Sequence, residues 1–315
     1  QTLQRTDYYP FGLEIDRNNP VQPLKVRNGY NRYLYNEKEL QVGIGYLDYG
    51  ARMYMPEIGR WGAADPLGGK MLSWSPFSYG FNNPIRFIDP LGLSPSTHTD
   101  EDGKVVAVYD DGDMGVYKHH NTSDGNAPTK SNIDKRHEHS TAAGGERMGE
   151  TAYWDEFIIP GTNHAAGTIY FGEKQSWDPL VKWGNDRATN QDLTLTMNES
   201  KLGGLLDIKN NKSWAPEGTM TGRLLNGQYA TARSAGNYLA GMNGVTGKFQ
   251  GSYISGDTYM KLAGAYQVGQ LSMVNILRIV TYGASFGAAP YYGEEPYSGR
   301  RIVEGINAGN KLLKK

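Results

Sequence analysis

A chain with glycine at 41 of its 315 positions and tyrosine at 22 is suited to turns and short strands more than to a bundle of long helices. A glycine weakens a helix interior by about 0.5–1 kcal/mol relative to alanine, whereas tyrosine packs well on a pleated surface. Apolar residues at 38% and charged residues at 21% still allow a closed core, and the length leaves room for two or three small domains. No apolar run reaches the ~18 residues of a membrane span, so stable membrane insertion is not expected. There is no cysteine, which excludes a disulfide scaffold, a Cys-ligated metal site and a thiol nucleophile. The opening Gln1-Thr2-Leu3-Gln4-Arg5 is not a signal peptide and lacks an initiating methionine, so the chain reads as part of a longer one.

The net charge of −1 conceals three regions. Residues 1–93 are nearly neutral at +1. Residues 94–200 carry nine Lys/Arg against eighteen Asp/Glu, a net −9, and residues 201–315 carry thirteen against six, a net +7. These are the expected domains: 1–93, an acidic linker or spacer at 94–200, and a basic C-terminal domain at 201–315. A basic domain suits a polyanion such as nucleic acid or an anionic surface, and the acidic stretch could shield it. All six histidines lie before residue 201, so chemistry in the last region must use carboxylates, Lys, Arg, Tyr, Asn or Gln. No metal or other cofactor is expected.

The fold class read from this pattern is α+β. Residues 1–93 carry frequent turn signals and no 3.6-residue period, which predicts short strands. Val105–Tyr109 and Met114–Tyr117 flank Asp110-Asp111-Gly112-Asp113 and predict a hairpin inside an otherwise linker-like stretch. Glu150–Phe157 reads as a short helix and Thr168–Phe171 as a strand. Beyond residue 200 the chain turns helical, at Ala230–Met242, from Asp257 to about Leu271, at Val274–Tyr282, and from a Ser298 cap onward. The weakly polar stretch 272–289 reads as a buried core helix. Insertion as a pore is the alternative, with Arg278 against it.

An ordered set of motifs fills the first region. Tyr8-Tyr9-Pro10-Phe11-Gly12 is followed by Asn31-Arg32-Tyr33-Leu34-Tyr35-Asn36-Glu37-Lys38-Glu39-Leu40 and by Leu47-Asp48-Tyr49-Gly50-Ala51-Arg52-Met53-Tyr54. Pro56-Glu57-Ile58-Gly59-Arg60-Trp61, Asp65-Pro66-Leu67, Phe81-Asn82-Asn83-Pro84-Ile85 and Ile88-Asp89-Pro90-Leu91-Gly92-Leu93 complete it. Residues 8–93 resemble an Rhs-repeat-associated core of a bacterial polymorphic toxin. The resemblance implies a β-rich plug for an Rhs shell supplied upstream in the same polypeptide, and self-cleavage of the Leu93–Ser94 bond. An aspartyl-type mechanism needs one protonated and one ionised carboxyl group, with a cation to hold the charge. Asp65 and Asp89 match the family's aspartate pair and Arg52 its supporting arginine. Met55 stands where the family commonly has Asp.

An Rhs core makes the following segment an effector by architecture. Within it, Asp207-x-Lys209, Gly227-Gln228 with Arg233, Gly236-Asn237 and Gly241, then Ala263-Gly264-Ala265-x-Gln267 and Gly293-Glu294-Glu295-Pro296 occur in order. This order resembles the polymorphic toxin type 44 family, which implies an RNase toxin. Glu294-Glu295 stands where Asp is more usual, and Arg300-Arg301 replaces polar residues. A metal-independent RNase needs a base for the 2′-OH, cations for the phosphorane and an acid for the leaving oxygen. Asp207 or Glu294 is expected as base, and Lys209, Arg233 and Arg300 as phosphate ligands. Asn237 and Gln267 complete the expected site, with Tyr229 or Tyr266 stacking a base. If Leu206–Lys209 is a strand, Asp207 and Lys209 share a face; on a helix, Arg233 and Asn237 stack at i, i+4. An envelope-directed glycosidase using Asp207 with Glu294 or Glu295 is the rival reading, and a non-enzymatic membrane or binding toxin is the third. A toxin of this kind implies delivery from a producer into a target bacterium through a secretion apparatus. It also implies a cognate immunity protein. His119-His120 and His137-x-His139, with acidic residues nearby, are read as spacer residues without a metal role.

Overall fold

The computed structural model describes residues 6–15, 32–50, 52–64, 75–79, 84, 95–111, 113–153, 155–160, 162 and 164–314. The chain divides into two compact units, one of residues 1–96 with 109–114 and one of residues 97–108 with 115–315. The content is α+β, as the sequence predicts. No helix among the described residues is long and apolar enough to cross a membrane.

The first unit is an antiparallel meander of short strands, β1 (Glu39–Gln41), β2 (Tyr46–Asp48), β3 (Met53–Met55) and β4 (Arg60–Trp61). The alternation of the strands buries Leu40, Leu47, Tyr54 and Trp61, and these pack with Tyr49 and Tyr79. Asn36 donates to the phenol oxygens of Tyr49 at 3.1 Å and Tyr79 at 2.6 Å, so the aromatic cluster buries its hydroxyls without orphaning them.

Next along the chain come β5 (Pro95–Thr99), β6 (Val105–Asp110), β7 (Gly115–Lys118) and β8 (Glu146–Glu150), in the sheet order β6-β5-β7-β8. The predicted hairpin of β6 and β7 is therefore not made, because β5 lies between them and pairs parallel with β7. The stretch expected as a linker holds a buried sheet, followed by α1 (Lys130–His137). No helix forms among the described residues of the predicted 150–157 segment, where the chain leaves β8 in bends and turns. β9 (Thr168–Ile169) is the expected strand, and it pairs parallel with β10 (Thr221–Leu225). β10 pairs antiparallel with β11 (Gln228–Thr231) across Asn226-Gly227, both at positive φ, as a tight hairpin turn requires.

Between these strands come α2 (Asp178–Ala188) and α3 (Leu193–Glu199). After β11 the chain enters α4 (Ala232–Thr246), which is buried along nearly its whole length. Then follow α5 (Gly256–Gln267), α6 (Met273–Tyr282) and α7 (Pro296–Leu313). The glycines inside α4 do not break it because neighbours use the space. A methyl group on Gly241 would collide with the backbone of Ile302, and one on Gly305 with the backbone of Tyr238, so α4 and α7 touch backbone to backbone. α5 starts from a Ser255 cap, two residues before the expected Asp257, and α7 from Glu295 with Pro296 at its first position, ahead of the expected Ser298.

The boundary expected at residue 200 runs through the core of the second unit. Trp177 and Val181 pack with Ile208, Ala230 and Leu239, and Trp177 donates its indole N–H to the Ala230 carbonyl at 2.9 Å. The acidic and basic segments meet as partners. Arg301 pairs with Glu156 at 2.7 Å, and Arg300 pairs with Asp155. Residues 272–289 are not a buried helix: in α6 only Ile279 is buried, and Met273, Val274 and Tyr282 are exposed.

Candidate functional site

Thr231 ends β11 and caps α4, accepting the backbone N–H of Ser234. That cap is held by Glu156, which accepts from Thr231 N–H at 2.9 Å, Thr231 Oγ1 at 3.0 Å and Ser234 Oγ at 2.7 Å. Burial pushes the Glu156 carboxyl up, but Arg301 and these donors outweigh it and leave it below the usual range. This anchored turn carries Arg233, and one turn on it carries Asn237 on the same face.

Lys209 reaches that face from the turns before β10. Its stem lies across Gly236, where a methyl group would sit 3.0 Å from Lys209 Cε, and its ammonium donates to Asn237 Oδ1 at 3.1 Å. Burial pulls the Lys209 ammonium below the ordinary lysine range, and Arg233 adds to this, while Glu294 and Asp207 oppose it. Burial likewise pulls Arg233 down, and its guanidinium lies 4.3 Å from the centre of the Tyr297 ring. Glu294 sits in the turn before α7. Burial pushes its carboxyl up; the Glu295 N–H and Lys209 hold it partly back.

Lys209, Arg233, Asn237, Tyr266, Gln267 and Glu294 all line one cavity of about 530 Å³. Glu294 is the one carboxylate among its lining residues, and no histidine borders it. Asn237 Nδ2 and Arg233 Nε are buried without a hydrogen-bond partner among the described residues. The remaining wall is largely apolar, built by α3, α5 and α6 and including Tyr259, Leu262 and Ile276.

Three expected residues fall elsewhere. Asp207 is not on a strand and does not border the cavity. Its carboxylate accepts the Gly203 N–H at 2.9 Å and the Asn210 amide at 3.0 Å, closing a local turn behind Lys209. Tyr229 is buried in the cluster of Val105, Val116, Phe157 and Ile169, so its ring has no face free for a base. Arg300 is buried against Asp155 and stacked on Tyr153 at 4.0 Å, away from the cavity lining. As substrate ligands, Tyr229 and Arg300 do not fit this placement. Two contributors escaped the sequence reading. Tyr297, directly after Glu-Glu-Pro, was signalled only by its place beside that motif. Glu156 had no local signal at all, since its partners lie 75 and 145 residues away.

In the first unit, Arg52 is buried with its guanidinium 4.4 Å from the Trp61 ring centre and donates to the Pro76 carbonyl at 3.4 Å. Asp65, Asp89, Leu93 and Ser94 lie outside the described residues. Among the histidines, His98 Nδ1 lies 2.9 Å from His119 Nε2, and burial, with Arg136 and His120, pushes His119 down to about 4.

No family model matches the chain, and no solved structure matches it. Two curated proteins match parts of it. Toxin subunit YenC2 of Yersinia entomophaga is 33% identical over 103 residues, which is 32% of this chain and 10% of that protein. Salivary gland surface protein 1 of Aedes aegypti is 34% identical over 88 residues, 27% of this chain and 2% of that protein. The chain thus spans a small fraction of either relative, and the first likeness relates about a third of it to a toxin subunit.

Proposed function

We propose that the chain is the C-terminal part of an Rhs-type toxin whose second unit cleaves RNA without a metal ion. The observation that carries the reading is the convergence of Lys209, Arg233, Asn237 and Glu294 on one cavity from three separate stretches of sequence. Three cations, Lys201, Lys209 and Arg233, against one carboxylate suit an anionic group, and a single carboxylate is a poor donor set for a divalent ion. It is equally short of the carboxylate pair that most glycosidases use.

The chemistry follows from the side chains. Glu294, its carboxyl raised by burial, takes the 2′-OH proton as the 2′-oxygen bonds to phosphorus. Arg233 and Lys209 stabilise the charge that builds on the phosphorane. Lys209, its ammonium made more acidic by burial, protonates the departing 5′-oxygen as the P–O5′ bond breaks. The products are a 2′,3′-cyclic phosphate and a free 5′-hydroxyl. Upstream, Asp65 and Asp89 cut the Leu93–Ser94 bond in this reading, with Arg52 holding the charged carboxylate, and release the effector from its shell. The toxin relation further supports export, delivery into a bacterium and a cognate immunity protein as partner.

The test is induction of the full chain in a susceptible bacterium, with and without an export signal. Growth arrest from the cytoplasm with RNA decay, abolished by Glu294→Gln, is expected. Killing only after export would assign an envelope target and overturn the RNA reading. The same cultures report on cleavage: Asp65→Asn is expected to leave one uncut band.

A further inference from the structure

We infer that the cavity accepts one unpaired nucleotide at a time, phosphate against Lys209 and Arg233 and base against the α5–α6 wall, so that its substrate is single-stranded or looped RNA and not duplex. The inference rests on the RNA reading of the same site and adds the form of the substrate.

Three observations carry it. The site is a half-enclosed concavity, and its volume of about 530 Å³ falls within the ~300–1,000 Å³ of sites that hold a small ligand. Its chemistry is divided by element of origin. The charged groups and Asn237 come from α4, the turns before β10 and the turn before α7, while Tyr259, Leu262 and Ile276 come from α5 and α6, with Gln267 the one amide on that side. A nucleotide is divided in the same way, with a charged phosphate and a flat apolar base. Finally, Asn237 is 6% exposed, lines the cavity, and leaves its buried amide nitrogen without a partner among the described residues. Such a donor is costly unless a ligand oxygen answers it. Tyr266, 58% exposed, and Gln267 stand on the exposed part of the lining, where a neighbouring nucleotide would pass.

A paired base cannot enter such a cavity. In A-form RNA the major groove is narrow and deep and the minor groove is shallow, so base faces are hidden by stacking. Chemistry within a concave site then requires an unstacked nucleotide, and extrusion from a duplex carries a penalty that a loop or single strand escapes.

The experiment compares the full chain on one 5′-labelled RNA presented as a single strand, as a perfect duplex and as a hairpin. Duplex cleavage slower by about 100-fold or more, and hairpin cuts confined to the loop, are expected. Calorimetry with nucleoside 3′-monophosphates and with inorganic phosphate provides a readout independent of turnover. Mononucleotides are expected to bind more tightly than phosphate, and Ile276→Trp to remove that advantage while leaving phosphate binding. Equal cleavage of duplex and single strand would overturn the inference and leave the RNase reading standing. Mononucleotide binding no tighter than phosphate would overturn it too. Tight mononucleotide binding without cleavage of any RNA would keep the nucleotide site and overturn the RNase reading.

Discussion

Two groups of buried cations lie beside the α4–α7 pair, and they are answered differently. Arg301 is gripped by Glu156 and Glu304, each at 2.7 Å, and Arg300 by Asp155 and the Tyr153 ring. Lys209 and Arg233 make no ion pair among the described residues: one meets an amide oxygen, the other an aromatic face. An unbonded Nε is common to Arg233, Arg300 and Arg301, so it does not distinguish the groups. What distinguishes them is charge compensation and the cavity, which borders Lys209 and Arg233 but neither Arg300 nor Arg301. Its charge makes Arg300 an expected phosphate ligand, yet a compensated buried cation has little field left for a ligand. The difference separates scaffold from site within one charge sign.

The sharpest way to break this comparison is to uncompensate the scaffold. Glu156→Ala leaves Arg301 buried with Glu304 alone and strips the α4 cap of its acceptor. A loss of about 3–5 kcal/mol is expected in urea unfolding followed by helical circular dichroism. Because the Glu156 carboxyl lies low in the fold, its contribution is present above the ordinary glutamate value and disappears as pH falls through the folded value. The wild type should therefore lose stability on acidification more steeply than the variant. A loss under about 1 kcal/mol would mean that Arg301 is held by other means.

The legibility of the sequence divides along the same line. Asp-x-Lys, Arg-x-x-x-Asn and Glu-Glu-Pro could be read because each is local, and Lys209, Arg233, Asn237 and Glu294 do meet at one cavity. The helices at Val274–Tyr282 and Ala230–Met242 were near their observed bounds because helix periodicity is local too. Leu206–Lys209 does not meet the condition of a strand that would put Asp207 and Lys209 on one face, because Asp207 accepts the Gly203 N–H and closes a turn. The β6–β7 hairpin failed because β5, from earlier in the chain, takes the place between them. The division at residue 200 was drawn from charge, but the opposite signs mark mutual attraction of two halves of one unit, as Glu156–Arg301 illustrates. No local pattern announces a partner 145 residues away.

The second prediction acts on the site. Lys209→Ala should change stability by less than about 1 kcal/mol, since it removes an uncompensated cation, and should slow RNA cleavage by about 10²–10³-fold. The pH profile sharpens it. Ionised Glu294 and protonated Lys209 are both required, so the rate rises through the Glu294 value and falls through the Lys209 value. Burial moves the first up and the second down, narrowing the bell from both sides. Residual activity in Glu294→Gln should lack the acidic limb. An unchanged limb would remove Glu294 as the base.

The smallest expected effect comes from Gly236→Ala, which tests whether positioning alone matters at the uncompensated site. Alanine in a helix interior is favoured over glycine by about 0.5–1 kcal/mol, and this gain should appear in the unfolding midpoint if the methyl group is accommodated. The methyl would stand 3.0 Å from Lys209 Cε and 3.2 Å from Cγ, so the flexible stem must move aside. A stem displaced by even a fraction of an ångström carries its ammonium off the Asn237 oxygen. Cleavage should fall about tenfold, well short of Lys209→Ala, while the fold is retained or strengthened. The same substitution at Gly241, which would meet Ile302 backbone instead of a side-chain stem, should destabilise the α4–α7 contact. A Gly236→Ala variant with full activity would mean that Lys209 works from more than one position, and that the notch in α4 serves packing and not chemistry.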